Sequence, residues 1–320
     1  MNIVAEEVQK WIETDLPGRK VNFKTIAYYA TDQAPVEKND DGTYSPVCEE
    51  VVTRPDVSVL VWLINNKLRH KSLDDPENAY AYETYKQWTA VCSDIEAGNY
   101  AVNYYETGYM YAINDFDAVE RDMEIFRELG VKEVLYTFAY QVTDIAPFFD
   151  LKAYCLSNLM WDSSLSYEEL ANDFIEKNYL SAAPIYKEYY NVYKTWMTSL
   201  ELTYKMQTSN GWMINTTTFP KALVDRFFSL LNGIQTEAER YRDSDPEVYE
   251  RISASVRKEK IMPLFMYVNL YRDNFGKDEI RKMINDFESY TLEFKILLYG
   301  ENFFIRDLLA NWRAKSGIED

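Results

Sequence analysis

Histidine and cysteine, which build most metal sites and many nucleophilic catalytic sites, are scarce in this sequence. Among 320 residues there is one histidine, His70, and there are three cysteines, Cys48, Cys92 and Cys155. The cysteines are odd in number and none has CxxC spacing, so we expect neither a disulfide framework nor a zinc site. A single histidine excludes most histidine-built metal centres and leaves little room for a Ser-His-Asp triad.

Sequence motifs of several enzyme classes are also missing. There is no GxGxxG, Walker, HExxH or GxSxG motif, which argues against nucleotide-dependent chemistry and serine hydrolysis. We therefore expect no cofactor and no metal. No apolar run reaches the length of about 18 residues that a membrane span requires.

Positive charge is in deficit, with a net charge of −18. Nucleic-acid binding depends on neutralising phosphates with lysine and arginine, so a nucleic-acid partner is not expected. The same charge disfavours an anionic membrane surface. Uncharged or cationic small ligands remain the easier partners.

Aromatic residues are abundant, at 16% of the chain, with 27 tyrosines, 16 phenylalanines and 7 tryptophans. Tyrosine at this level suits clefts in which sugar rings stack. It equally suits the core of a helical bundle, with the hydroxyl groups reaching polar partners.

The stretch from residue 99 to residue 161 predicts alternating strands and helices. A β-rich run, NYAVNYYETGY, is followed by a helical pattern, INDFDAVERDMEIFRELG, with Asp115 as N-cap and Gly130 as its stop. Then come an apolar strand, VKEVLYTFAY, and a helix, FFDLKAYCLSNLMWD. This order of strand, helix, strand and helix is typical of a parallel α/β layer or barrel.

Two more strands precede this stretch. A helix over residues 3–15 leads to the strand VNFKTIAYYAT, and the polar run TDQAPVEKNDDGTYSP predicts an irregular loop. The run DVSVLVWLIN is typical of a strand buried on both faces, and a helix is expected over 79–97. Four strands in about 140 residues fit either a small open sheet or half of an eight-stranded barrel, which usually needs about 250 residues.

The remainder of the chain predicts helices only. We therefore expect two domains: residues 1–150, an α/β domain that is either an open sheet or a partial barrel, and residues 151–320, an all-α helical bundle. The N-terminal segment MNIVAEEVQKWIETDL is an acidic amphipathic helix and not a signal peptide. Localisation stays open, extracellular if the full-length protein carries a signal peptide and cytoplasmic otherwise.

A family resemblance enters with the run FDLKAYCLSNLMWDSSLSYEELANDFIEKNYLSAAPIYKEYYNVY. It resembles the pattern "LraYllakLlWdP", an acidic helix and "yYG-Aa" of the domain-of-unknown-function family 4838. Further stretches fit, VNFKTIAYYATDQAP and DVSVLVWLINNKLRHKSLDDPEN, as does the spacing to Trp88, so that the resemblance covers about residues 1–195. Tyr179-Leu180 stands where the family has Tyr-Gly.

That family looks similar to glycoside hydrolases of the α-glucuronidase and β-hexosaminidase type, which have a (β/α)₈ barrel and a following helical region. The resemblance implies that the four strands are strands 5–8 of such a barrel. The chain would then be the C-terminal part of a larger protein, with the missing barrel half as its partner. It implies a carbohydrate ligand and hydrolysis of O-glycosyl bonds in uronic-acid or amino-sugar glycans. In related enzymes the general acid follows strand 4, which this chain would lack.

Two carboxylates are the candidate catalytic residues, because glycosidases use a pair of carboxyl groups. Glu106 follows the predicted strand 7, where related barrels often carry the nucleophile or base; alternatively it is a solvated glutamate at a strand end. Asp32 follows strand 5, where an aspartate that binds its own loop backbone is the commoner case.

Polar and aromatic side chains near the strand ends are the candidate substrate-binding residues. His70 in RHKSLDDPEN can hydrogen-bond a sugar hydroxyl, with Asn78 downstream, or it can pin its loop. The others are Trp62, Asn65, Tyr105, Tyr140 and Gln141. Aromatic residues among these offer stacking platforms, although residues that alternate along strands also fill cores. Six of the candidates should converge on one mouth, because the carboxyl ends of parallel strands share one edge: Asp32, Asn65, His70, Tyr105, Glu106 and Gln141. A binding module that has lost the acid pair, or a scaffold without a ligand, are the competing hypotheses.

Overall fold

A computed structural model gives the fold and describes residues 1–63, 68–104, 107–138, 147–204 and 214–318. The fold is mixed α/β, with a parallel sheet and many helices, as the sequence predicts. The chain forms two compact units. Unit 1 comprises Met1–Tyr100 and Asp117–Thr137, and unit 2 comprises Ala101–Phe116 and Phe138–Asp320.

Unit 1 contains the parallel sheet. Its elements in chain order are α1 (Asn2–Asp15), β1 (Phe23–Ala27), β2 (Val36–Lys38), β3 (Tyr44–Pro46), β4 (Val57–Trp62), α2 (Ala79–Thr89), β5 (Ile95–Tyr100), α3 (Ala118–Glu128) and β6 (Glu133–Thr137). The sheet has the order β1-β4-β5-β6, and each neighbouring pair is parallel. This is the order in which the predicted strands follow one another along the chain.

The two faces of the sheet differ in what they carry. Val57 and Val59 lie on the face of the sheet that α1 and α2 cover. There they line a cavity together with Ile3 of α1 and Trp88 of α2. Residues on the alternate positions point to the opposite face, since side chains alternate along a strand. Trp62 lies on that face at the carboxyl end of β4, beside Gly98 of β5.

Unit 2 is built mainly of helices. Its elements are α4 (Phe149–Trp161), α5 (Tyr167–Tyr179), α6 (Ala183–Tyr204), α7 (Lys221–Ala238), α8 (Pro246–Tyr271), α9 (Lys277–Glu293), β7 (Leu298–Gly300), β8 (Phe303–Phe304) and α10 (Ile305–Ser316). Its core is strongly aromatic: Phe148 lies within 6.2 Å, centroid to centroid, of Phe116, Tyr186, Tyr189, Tyr190 and Tyr193. No helix in the described ranges is long and apolar enough to cross a membrane.

Several element predictions were wrong. The helix expected over 79–97 ends at Thr89, and the third strand is Ile95–Tyr100 rather than a run from Asn99 onward. Tertiary neighbours override propensity here. Glu96 forms an ion pair with Lys24 of β1, and Gly98 accommodates the indole of Trp62.

Three smaller differences have local causes. The polar run after β1 is not irregular, since β2 and β3 form an antiparallel hairpin whose turn contains Gly42 at φ +85°. A second short ribbon, β7 with β8, interrupts the helices of the second half. The N-cap of α3 is Asp117, because Asp115 instead pairs with the buried Lys152. Gly130 ends α3 at φ +73°, as predicted.

Candidate functional site

The predicted site residues divide into two groups. Asp32, Trp62 and His70 are described, and all three lie in unit 1. The others lie outside the described residues: Asn65, Tyr105, Glu106, Tyr140 and Gln141. Convergence of the six candidates on one mouth therefore stays a prediction, as do the roles of all the predicted site residues.

Asp32 ties the loop after β1 to α2. Its side chain is 6% exposed, and the Tyr80 hydroxyl lies 3.1 and 3.0 Å from its two carboxylate oxygens, to which it donates. Trp88 donates its indole N–H to the Asp32 carbonyl over 2.6 Å. Burial, followed by the hydrogen bond to Asp32, raises the pKa of Tyr80. These contacts give the carboxylate a definite structural task, while its catalytic role stays a prediction.

Trp62 lies over Gly98 at the carboxyl end of the sheet. The two residues are partners in the register between β4 and β5, and a Cβ added to Gly98 would stand 2.6 Å from the Trp62 Cγ. Tyr100, two residues along β5 on the same face, packs against the indole with ring centroids 5.4 Å apart and planes at 41°. A half-exposed tryptophan thus lies flat against the sheet, next to a tyrosine.

Among the described residues, the Trp62 indole N–H has no acceptor. The nitrogen is buried, and it bonds to no group in the parts of the chain that the structure describes. Buried donors nearly always find an acceptor in native proteins, so an exception calls for an explanation. The indole N–H is therefore available to an acceptor outside the described residues.

Arg69 completes the cluster from the loop after β4. It is 1% exposed, and its guanidinium lies 5.8 Å from the centroid of the Tyr100 ring, within range of a cation–π contact. His70 follows it and is half-buried, with both ring nitrogens shielded from solvent. Trp62, Arg69 and Tyr100 therefore form one contact chain, which we call the Trp62 cluster.

Asn78 fixes the loop that carries Arg69 and His70. Its fully buried amide accepts from the Leu68 N–H at 2.6 Å and donates to the carbonyls of Leu68, Lys71 and Ser72 at 3.2, 3.1 and 2.8 Å. In the sequence, Asn78 is distinguished only by its position downstream of the histidine. Its function in the fold is to hold the segment 68–72, which carries Arg69 of the Trp62 cluster.

Asp122 of α3 anchors the far end of the same loop. It is 1% exposed, and it accepts from the Leu73 N–H over 2.6 Å. Burial raises the pKa of Tyr85, with Arg69 opposing the rise and Asp122 adding to it. The positive charge of Arg69 and the negative charge of Asp122 both act on the buried Tyr85.

The arrangement offers binding chemistry more clearly than acid–base chemistry. A flat indole beside a phenol gives a surface for the apolar face of a sugar ring, and the indole N–H gives one hydrogen-bond donor. In the described ranges, no group of three or more His, Cys, Asp or Glu side chains could hold a metal ion. Sequence reasoning singled out Trp62 and His70 and missed Gly98, Tyr100 and Arg69. Gly98 in particular would have required the strand register.

Comparison with known families gives one match. The family model described as "Domain of unknown function (DUF4838)" matches residues 1–191. No curated protein and no solved structure matches the chain. The match covers more than half of the 320 residues and confirms the family suggested by the sequence motifs. The chain therefore belongs to the DUF4838 family.

Proposed function

We propose that this chain is part of a carbohydrate-active protein of glycoside hydrolase type, which hydrolyses O-glycosyl bonds in uronic-acid or amino-sugar glycans. The observation that carries the proposal is the placement of Trp62 over Gly98, beside Tyr100, at the carboxyl ends of two neighbouring parallel strands. Ligands of parallel α/β folds bind at this end of the sheet, and flat aromatic surfaces suit sugar rings.

The same proposal extends to the fold. The four parallel strands would be strands 5–8 of a (β/α)₈ barrel, and residues 151–320 would form a helical bundle domain. The strand order and the helices on one face of the sheet support a half-barrel, as do the exposed apolar residues of the outer strands, Ile26 and Leu135. An open edge strand favours pairing with another strand. The partner at these edges would be the other barrel half of the parent polypeptide.

In this mechanism Glu106 is the base or nucleophile, and the general acid comes from the missing half. The test uses the complete protein and a panel of uronic-acid and amino-sugar oligosaccharides. We expect Glu106→Gln to lower turnover by about 10²-fold or more, the range for loss of one acid–base group, with ligand binding retained. Glu83→Gln is the control, because Glu83 binds Tyr44 and Lys86 near the hairpin. Unchanged turnover in Glu106→Gln would remove Glu106 from the mechanism.

A non-catalytic carbohydrate-binding domain is the second candidate. It is favoured by the contacts of Asp32, whose carboxylate is buried against Tyr80 and whose carbonyl accepts from Trp88. Binding of oligosaccharides by the complete wild-type protein without any turnover would select this candidate. A scaffold with no ligand would show neither binding nor turnover.

A further inference from the structure

The first turn of α4 begins at a strained residue. Phe148, its N-cap, has φ 61° and ψ 17°, the left-handed region that non-glycine residues seldom adopt. Its ring is fully buried among the aromatic side chains of unit 2. Strain of this kind persists only where the surroundings enforce it, and it is common in switch regions.

Glu259 of α8 holds this residue in place. Its Oε1 accepts the Phe148 N–H at 3.0 Å and the Tyr186 hydroxyl at 3.2 Å, and its Oε2 accepts the Tyr189 hydroxyl at 3.1 Å. The side chain is 6% exposed. A single buried carboxyl group thus accepts three hydrogen bonds, one of which comes from the start of the helix.

The groups around Glu259 come from four helices. Tyr186, Tyr189 and Tyr193 face it from α6 and Tyr179 from α5, and burial raises the pKa of each of these tyrosines. Asp150 of α4 and Lys258 of α8 pair with each other at 3.0 Å. The tyrosines stay neutral near neutral pH, so Glu259 is the group in this cage that changes charge there.

We propose that Glu259 is a proton-linked lock on the first turn of α4, which holds the turn closed when protonated and lets it open more readily when ionised. The reason is the cost of a charged carboxylate in a buried cage. An opening that exposes Glu259 to water removes this cost. A protonated Glu259 is neutral, so exposing it to water removes no such cost and opening is not favoured.

The direction of the pH effect follows from the two states. Burial raises the pKa of Glu259 from 4.5 to about 7, opposed by the Phe148 N–H and by Lys258. In the open state the pKa returns towards its ordinary value. Opening therefore becomes easier as the pH rises from about 4.5 to 7, by up to about tenfold per pH unit, and changes little above that range.

Amide hydrogen exchange of the full chain measures this opening directly. The reporter is the Lys152 N–H, which donates to the Phe148 carbonyl at 2.8 Å. After correction for the intrinsic exchange rate at each pH, its opening constant should rise more than tenfold between pH 5 and pH 7. In Glu259→Gln, which cannot ionise, it should change less than twofold. An equal slope in wild type and variant, or no slope in wild type, would overturn the proposal.

Two further variants keep the test decisive. Glu201→Gln is the matched control, because Glu201 is also a buried glutamate of unit 2 but binds the Asn114 N–H; the slope at Lys152 should persist. If Glu259→Gln does not fold, Tyr189→Phe decides. Removing this donor to the carboxylate should raise the pKa of Glu259 further, so that the opening constant at the Lys152 N–H keeps rising to a higher pH. A pH dependence identical to that of wild type would contradict the lock.

Discussion

Gly98 matters because of the side chain that it lacks. The register of β4 and β5 sets Trp62 opposite this position, and the indole occupies the space of a Cβ. A glycine inside a strand often marks such a close approach. The position of the Trp62 indole at the end of β4 therefore depends on a glycine in β5.

Substituting this glycine should therefore disturb both stability and the platform. We expect Gly98→Ala to destabilise the protein by about 1–3 kcal/mol, the usual cost of overpacking, and to shift the fluorescence of Trp62. Gly233→Ala is the control, since Gly233 lies within α7 and a Cβ there would meet Ile185 of α6 at an ordinary 3.5 Å. That change should be neutral or stabilise by up to about 1 kcal/mol. Equal denaturation curves for Gly98→Ala and wild type would refute the steric argument.

The sequence identified part of the cluster for physical reasons that can be stated. Trp62 is the one aromatic residue in a long apolar run of the sequence, and His70 is the only histidine, so both are conspicuous. Gly98 and Tyr100 lie in a stretch, IEAGNY, whose glutamate and glycine disguise a buried strand. Arg69 is charged and would be placed on the surface by composition alone, although it is buried.

At the scale of elements, the loop after β4 depends on one amide. Asn78 makes four hydrogen bonds to the backbone of Leu68, Lys71 and Ser72. We expect Asn78→Ala to cost about 1–3 kcal/mol, because it leaves buried backbone groups unpaired, and to increase proteolytic cleavage within 68–72. Asn39→Ala, in the exposed hairpin, removes side-chain contacts to Thr43 and Ser45 only and should have a smaller effect. Equal protease resistance in the two variants would contradict this role.

A buried ion pair fixes the segment that leaves β5. Lys152 of α4 pairs with Asp115 at 2.5 Å and donates to the carbonyls of Ala101 and Ile113 at 3.0 and 3.2 Å. It thereby holds both ends of the run 101–116. Asp115 was predicted to be the N-cap of α3, but its carboxylate pairs with Lys152 instead. Local sequence could not reveal this partner, because it lies 37 positions further along the chain.

Removing the lysine should be costly. We expect Lys152→Met to destabilise the protein by about 3–5 kcal/mol, because Asp115 is left as an uncompensated buried charge. The double variant Lys152→Met/Asp115→Leu should recover part of this loss. Lys177→Met, which breaks an exposed pair with Asp173, should cost less than about 1 kcal/mol. A double variant no more stable than the single one would show that the carbonyl contacts, and not the charge, dominate.

Element prediction succeeded where the pattern was strong and local. The apolar run of β4 and the stop of α3 at Gly130 are examples. It failed for β5 and for the β2–β3 hairpin. The position of β5 is set by partners distant in sequence. The turn of the hairpin has a sequence that is equally typical of an irregular loop.

For the whole molecule, pH should act in two opposite ways. Burial raises the pKa of Glu259 to about 7 and that of Glu201 well above its usual range. Folded Glu259 keeps its proton up to about pH 7, whereas the unfolded group ionises above about pH 4.5, so stability falls as the pH rises from about 4.5 to 7. The raised pKa of Glu201 acts in the same direction. The hydrogen bond from Tyr44, followed by that from Lys86, lowers the pKa of Glu83 to about 2. Its contribution is present above about pH 4.5 and is lost as the pH falls towards 2.

Denaturation as a function of pH checks this balance. In Glu259→Gln the decline between pH 5 and 7 should be shallower by about 1 kcal/mol per pH unit. Glu83→Gln should instead be less stable than wild type above about pH 4.5, and this difference should vanish as the pH falls towards 2. An unchanged slope in Glu259→Gln would show that the glutamate is not protonated in the fold.

At the same scale, the sequence motifs predicted the family, and the alternation of strands and helices in the first half predicted the parallel sheet. It could not determine the ligand. The apolar face of a sugar and the apolar neighbours of a core aromatic present the same chemistry to Trp62.

Calorimetric titration of uronic-acid and amino-sugar oligosaccharides into wild type, Trp62→Ala and Trp161→Ala tests the central claim most directly. Trp161 is 93% exposed at the end of α4 and serves as the matched control. Wild type and Trp161→Ala should bind the same oligosaccharide, and Trp62→Ala should bind it about tenfold more weakly or worse, a loss of about 1.4 kcal/mol or more. Equal affinity in Trp62→Ala, or no binding by wild type, would contradict a carbohydrate site on the Trp62 cluster.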